Sequence, residues 1–227
     1  MSTSLPSRLT WIDETSRGSH YYLTDDDRCI YFGEYFGGQG YSGGPTNQLI
    51  FNFKAKPSAI ANNIYRRRYK KQAIRLIAQG LRRSIKQHDI ESYTWVPIPC
   101  SKAEGHADYD PRLTQTLTEA FDGFDADIRQ MIRQTESVNA DHHRDHDRIS
   151  PNRLSEILEI DIDLLNAKDV RSKGIVLFDD VLTTGKHFKC CANLIKHQLP
   201  KVHILGIFVA RCIHADPLAE FEDIEEV

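Results

Sequence analysis

Gly174-Ile175-Val176-Leu177-Phe178-Asp179-Asp180-Val181-Leu182-Thr183-Thr184-Gly185-Lys186-His187 is the stretch whose reading decides the fold. Residues 175–178 are apolar, branched or aromatic, and read as a strand buried on both faces. Two adjacent carboxylates stand at its carboxyl end. A hydroxyl-rich turn with one glycine follows, and then a helix with Phe188, Cys191, Leu194 and Ile195 on its apolar face. In an open parallel sheet the carboxyl edge is where ligands sit. Consecutive backbone N–H groups before a helix N-terminus suit a phosphate. The carboxylates suit sugar hydroxyls, which are donors, or a hydrated Mg²⁺. Two other phosphate motifs fail on spacing. A Walker loop needs glycine where Asp180 stands, and an Asp-x-Asp pattern needs an acid at Val181. The plainer alternative is a strand that ends in two acids, with Thr183 or Thr184 capping the helix. Paired acids beside a buried strand end argue against it.

Working outward, residues 203–210 read as the next buried strand and 93–99 as another, running into the loop Cys100-Ser101-Lys102. A helix is expected over 63–87, with Ile74, Ile77, Ala78, Leu81 and Ile85 at helical spacing. Asp110 caps a helix opening at Pro111, a second helix covers 125–134, and Ser150-Pro151 starts a third that runs to about 158. Strand and helix alternate after Glu91, which predicts an α/β fold with a doubly wound, mostly parallel sheet. Residues 20–23 and 29–35 read as two strands of a β-hairpin around the turn 24–28. Residues 46–53 fit a short helix or a strand equally. The five glycines of Gly37-Gly38-Gln39-Gly40-Tyr41-Ser42-Gly43-Gly44 read as a flexible loop. Residues 1–60 are expected to form an N-terminal hood on the domain at 61–227, the whole making one compact unit.

With 227 residues and 40% hydrophobic content the chain can bury a sizeable core. No apolar run approaches the length of a membrane span, and residues 1–18 lack the apolar core of a secretory signal. Five cysteines without a Cys-x-x-Cys pair exclude a disulfide framework and a zinc ribbon. These features predict a cytoplasmic protein with reduced thiols. Charge is unevenly spread. Residues 35–88 hold eleven Lys or Arg and no Asp or Glu; since the chain carries −3, the remainder carries −14. Arg66, Arg67, Arg68, Lys70 and Lys71 open the basic helix. They read either as a solvated face or as a surface for an anionic partner.

The run from Ile175 to Lys186 resembles the phosphoribosyl-pyrophosphate (PRPP) signature of type I phosphoribosyltransferases: four apolar residues, two acids, two apolar residues, a small hydroxyl pair and glycine. It departs at His187, where the family has a small residue. Val96-Pro97-Ile98-Pro99-Cys100-Ser101-Lys102 is similar to the pyrophosphate loop of the competence-associated branch, whose zinc ribbon this chain lacks. The resemblance implies a cleft binding PRPP or a nucleotide with Mg²⁺. Asp179 and Asp180 would hold the ribose hydroxyls and, through water, the metal. Thr183, Thr184, Gly185, Lys186 and His187 would wrap the 5-phosphate. Ser101 and Lys102 would meet the diphosphate, and Arg112 would reach a phosphate. It also implies a cationic catalytic loop, for which Arg144 and Arg148 are the candidates. These two lie in a run where three His and three Asp fall within residues 141–148, too crowded for one tetrahedral metal site.

The chemistry implied is displacement of pyrophosphate from C1 of PRPP by a nitrogen nucleophile. In some relatives a base stands four residues beyond the acid pair; here that position is Thr184, which cannot serve. Three readings stay open: a phosphoribosyltransferase, a PRPP- or nucleotide-sensing regulator or antitoxin-like partner protein, and a nucleic-acid binder acting through the basic helix. The partners implied are PRPP or a nucleotide, a protein or nucleic acid on the basic helix, and a second copy of the chain.

Overall fold

The structure is a computed structural model that describes residues 8–138 and 149–214. Five parallel strands lie in the order β2 (Arg28–Phe36), β8 (Ile204–Ile213), β7 (Ile175–Leu182), β3 (Thr94–Pro97), β4 (Asp127–Ile128). The short β1 (Thr10–Trp11) adds an antiparallel edge beside β2. Helices cover both faces. On one, α2 (Pro45–Phe53), α4 (Ile64–Ser84) and α6 (Arg112–Ala120) bring Ile50, Ile77 and Leu117 into one core with Phe32, Trp95 and Phe178. On the other, α7 (Pro151–Ile157) and α9 (Lys186–Gln198) bring Leu154, Phe188 and Ile195 to Tyr31, Val96 and Leu177. Val176 and Phe178 enter the first core, Ile175 and Leu177 the second, because successive strand side chains point to opposite faces. This is why β7 reads as an unbroken apolar run. The expected α/β fold with a mostly parallel sheet is present.

Helix α4 begins where the Asn63 side chain accepts the Arg66 N–H at 3.0 Å. Ile74, Ile77, Ala78 and Leu81 face the core as their spacing requires. Ser150 caps α7 by accepting the Arg153 N–H. Smaller elements fill the connections: α1 (Glu14–Arg17), a 3₁₀ turn at Gly40–Ser42, α3 (Pro57–Ile60), α5 (Gln87–Ser92), β5 (Ile132–Gln134), β6 (Leu158–Ile160) and α8 (Ile162–Asn166). Strands β5 and β6 pair antiparallel as a separate ribbon.

Five expectations need correction. Residues 20–23 form a turn, not a strand, and there is no hairpin with β2. Strand β2 instead pairs parallel with β8, so the first sixty residues do not stand apart as a hood: Phe32, Leu49 and Phe53 share a core with α4 and α6. The helix over 125–134 is absent. Thr94 Oγ1 donates to Asp127 at 2.7 Å, drawing this segment alongside β3. Arg129 turns inward to Asp127 and donates to the Leu165 and Asp169 carbonyls at 2.8 and 2.9 Å. These bonds outweigh a modest helical propensity. The glycine-rich loop is fastened rather than loose. The buried Asn47 amide donates to the Phe36 and Gly40 carbonyls, and its oxygen accepts the Phe36 N–H, all at 2.9 Å. Finally, Asp110 does not cap α6, because its carboxylate is taken by Lys70 and Arg112.

Candidate functional site

Strands β3 and β7 are neighbours, but their outgoing connections diverge. The chain leaves β3 through α6 toward β4, and leaves β7 through α9 toward β8. A crevice opens at such a switch point, outside the carboxyl ends of the strands. Val96 pairs with Leu177 and Pro97 with Phe178, so the loop after β3 leaves the sheet beside Asp179, and β7 continues past it to Leu182 before the turn 183–185. The tertiary structure thus brings together the two motifs read separately in the sequence.

The turn at 183–185 is shaped by a strap from the N-terminal segment. The His20 ring Nδ1 bonds the Thr183 carbonyl, and the Tyr22 N–H donates to the Thr184 carbonyl at 3.0 Å. Lys189 on α9 holds the strap through Asp27 at 2.6 Å. This is where the hydrogen bonds of residues 20–23 go instead of into a hairpin. A trans peptide keeps its N–H and C=O on opposite sides. Drawing these two carbonyls to the strap therefore turns the amides of Thr184 and Gly185 away from it. Among the described residues no acceptor meets the amides of Thr183, Thr184 or Gly185. They stand unpaired at the positive end of a thirteen-residue helix, where an anion is favoured.

Gly185 makes the turn possible. Its φ is +83°, and a Cβ there would lie 2.9 Å from Leu23 of the strap. Gly174 at the other end of the stretch is as constrained, with φ +106° and the His203 carbonyl 2.2 Å from a Cβ position. Gly185→Ala is expected to cost about 1–3 kcal/mol and to peel the strap from the turn. Hydrogen exchange at Tyr22, which accelerates if the strap lifts, checks it.

The two acids have separate fates. Asp180 points to the α2–α4–α6 side. Its oxygens accept from Lys54 Nζ at 3.1 Å and from the Arg112 guanidinium at 2.5 Å. Arg112 also reaches Asp110 at 3.0 Å, and Lys70 reaches Asp110 at 2.6 Å. Lys70 completes its three donors on the Phe53 and Ala55 carbonyls at 2.8 Å each. Burial opposes ionisation at Asp180, but Lys54 and Arg112 outweigh it and hold the carboxyl well below the usual range. Arg112 is thus a buried member of an ion network, not a free phosphate arm. Lys70 is buried with it and is no part of an outer surface.

Asp179 points the other way and is only partly buried. Burial, with the adjacent Asp180 charge, raises its pKa to about 7. It accepts the Asp180 N–H at 2.7 Å and meets no cation directly among the described residues. His187 stands in the first turn of α9. Burial, helped by the Lys186 and Lys54 charges, pulls its pKa down to about 4, so it is neutral at pH 7. Its Nε2 has no partner among the described residues.

In the loop after β3, Ser101 gives its carbonyl to the Val138 N–H and the Gln134 side chain, both at 2.9 Å. Lys102 Nζ donates to the Val138 carbonyl at 2.9 Å, and Lys186 Nζ to the Ile149 carbonyl. Val138 and Ile149 flank residues 139–148. Val138 is thus tied to the loop after β3 and Ile149 to the start of α9. Arg144, Arg148 and the His/Asp run lie outside the described residues. A cavity beside the loop after β3 is lined by Lys102, Tyr109, Arg112, Gln130 and Gln134.

Mg²⁺ can be tested against the donor set. Among the described residues no cluster of three His, Cys, Asp or Glu could hold a metal. Both oxygens of Asp180 are engaged by cations, so Asp180 does not fit as a ligand. Asp179 fits as a single carboxylate contact to an ion that arrives with phosphates and keeps its waters. The sequence reading missed Lys54, His20 and the Lys70–Asp110 pair. No local signal marks them, since Lys54 and Asp180 lie 126 positions apart. Of the basic run, Arg67, Arg68 and Lys71 are exposed, while Arg66 is partly covered and lies over Phe51. No helix among the described residues is long and apolar enough to cross a membrane. A scan against protein-family models gave no match for this chain, and a search of curated proteins gave none.

Proposed function

We propose that the β3–β7 crevice binds PRPP, or a nucleotide, with Mg²⁺, and transfers phosphoribosyl to a nitrogen acceptor with release of pyrophosphate. The observation that carries this reading is the row of amides at 183–185, unpaired among the described residues, at the start of α9 and just beyond Asp179, on the strand next to the one that leads into Ser101 and Lys102. The 5-phosphate sits on the amides of residues 183–185 and the α9 N-terminus. Ionised Asp179 accepts from the ribose hydroxyls, and the loop 100–102 faces the diphosphate. Mg²⁺ would arrive with the substrate, with Asp179 as its one carboxylate contact, and would offset diphosphate charge. The new bond joins the acceptor nitrogen to C1. The C1–O bond breaks, its electron pair leaves with pyrophosphate, and the acceptor gives its proton to water. Charge build-up at C1 is met by orientation and fixed dipoles rather than by covalent help.

Asp179 makes binding depend on pH. It is largely protonated at pH 6 and ionised at pH 8, because its pKa is raised to about 7. Calorimetric titration of Mg²⁺ and PRPP should show affinity rising about 3–10-fold over that interval. The rise should be absent in Asp179→Asn, which separates it from titration of the ligand's own phosphates. No heat of binding at either pH would remove this reading. A screen of bases for pyrophosphate release then tests turnover. A second reading, a sensor that binds without turnover, is favoured by the Asp180 ion network and by Thr184 at the position of the family's base. Binding without pyrophosphate release across all bases is its expected outcome.

A further inference from the structure

The first two turns of α4 present apolar rings and cations on adjoining sides of its exposed surface. Tyr65 is 70% exposed and Tyr69 50%, one helical turn apart and so stacked along the same face. Arg68, three residues from Tyr65, stands beside the rings; Lys71 and Arg67, one turn apart, continue from Arg68 around the helix away from them, and all three are exposed. None of the three meets a carboxylate among the described residues. The first ion pair along the exposed face is Arg75 with Glu119, at 3.8 Å. A second aromatic platform adjoins this face. Phe51, 45% exposed, packs edge-on against Tyr41 at 5.5 Å between centroids, with the Arg66 guanidinium 5.4 Å from its ring.

We propose that this face binds single-stranded nucleic acid, with bases stacked on Tyr65 and Tyr69 and phosphates met by Arg67, Arg68 and Lys71. Open aromatic faces beside unpaired cations are what unstacked bases on a polyanionic backbone require. A duplex keeps its bases stacked on each other and leaves the rings without a partner. A protein interface gathers its apolar residues into a core depleted of charge, whereas here two exposed rings are flanked by Arg68 and, beyond it, by Lys71 and Arg67. The surface lies on helix residues that do not line the β3–β7 crevice, so it stands or falls independently of the function proposed there.

The test is fluorescence anisotropy of the full chain with labelled single-stranded DNA and RNA of about twelve nucleotides, and with the matching duplex. For three or four phosphate contacts, binding should weaken about 20–50-fold between roughly 50 and 200 mM salt. Arg67→Ala/Arg68→Ala/Lys71→Ala should flatten that salt slope by roughly 2. Tyr65→Ala/Tyr69→Ala should weaken binding about 30-fold or more with the slope unchanged. All are surface changes, and unaltered thermal melts would show that the fold is kept. The proposal is overturned by any of four results: no saturable binding at low salt, a duplex bound as tightly as the single strand, indifference to the tyrosine change, or displacement of the oligonucleotide by polyglutamate. The last would assign the face to an acidic protein, including a second copy of this chain.

Discussion

Asp179→Asn should stabilise the protein by roughly 2–4 kcal/mol at pH 8, with the gain shrinking as the pH falls toward 5. The folded state raises the pKa of this carboxyl to about 7 from an ordinary 3.8. A folded state that holds the proton more tightly than the unfolded chain is favoured at low pH. The benefit is complete below the unfolded value and is lost as the pH rises through about 7. Above that, the fold must carry a half-buried negative charge beside Asp180. Asparagine has nearly the same shape and no charge, so it keeps the hydrogen bond from the Asp180 N–H and removes the penalty. Urea denaturation of parent and variant across this range measures the difference directly. A gain independent of pH, or a loss at every pH, would show that Asp179 carries no such penalty. The same variant should lose PRPP affinity, and a residue that costs stability while enabling binding is the pattern of a functional site.

Arg112→Met should destabilise the fold by about 3–5 kcal/mol, because breaking a buried ion pair leaves uncompensated charge. The guanidinium joins Asp180 to Asp110, and Lys54 and Lys70 complete the network. Each acid keeps one lysine in the variant, which places the cost toward the lower end of that range. Asp180→Asn added to Arg112→Met should recover part of the loss. It removes the charge left under-compensated and also relieves Asp179 of its nearest like charge. A double-mutant cycle should therefore show a coupling of about 1–3 kcal/mol. Additive losses would mean that Arg112 acts by packing alone, including its contact with the Phe53 ring.

The helix α4, the central strands and the start of α7 were legible because their signals are local. Ile74, Ile77, Ala78 and Leu81 repeat at the helical period, and Ser150-Pro151 is a cap followed by a first-turn proline. The segment 125–134 misled for the complementary reason. Its local spacing is helical, but Thr94 and the carbonyls near α8 hold Asp127 and Arg129 from outside it. The hairpin at 20–35 failed in the same way, since its first half is bound to Thr183 and Thr184, far along the chain.

The sequence by itself determined that 174–187 is a buried strand, an acid pair, a glycine turn and a helix start, because burial periodicity, φ > 0 at glycine and helix opening are local matters. It also determined that residues 35–88 are basic throughout. Only the tertiary structure decided what each of those charges does. Asp180 is neutralised by Lys54 and Arg112 while Asp179 is left with a pKa near neutrality, although the two are adjacent and chemically identical. Lys70 is consumed inside while Lys71 faces water. The reason is that strand and helix geometry send neighbouring residues to different environments. The energy of a charge is fixed by the partners and the solvent it meets there, and chain order does not specify these.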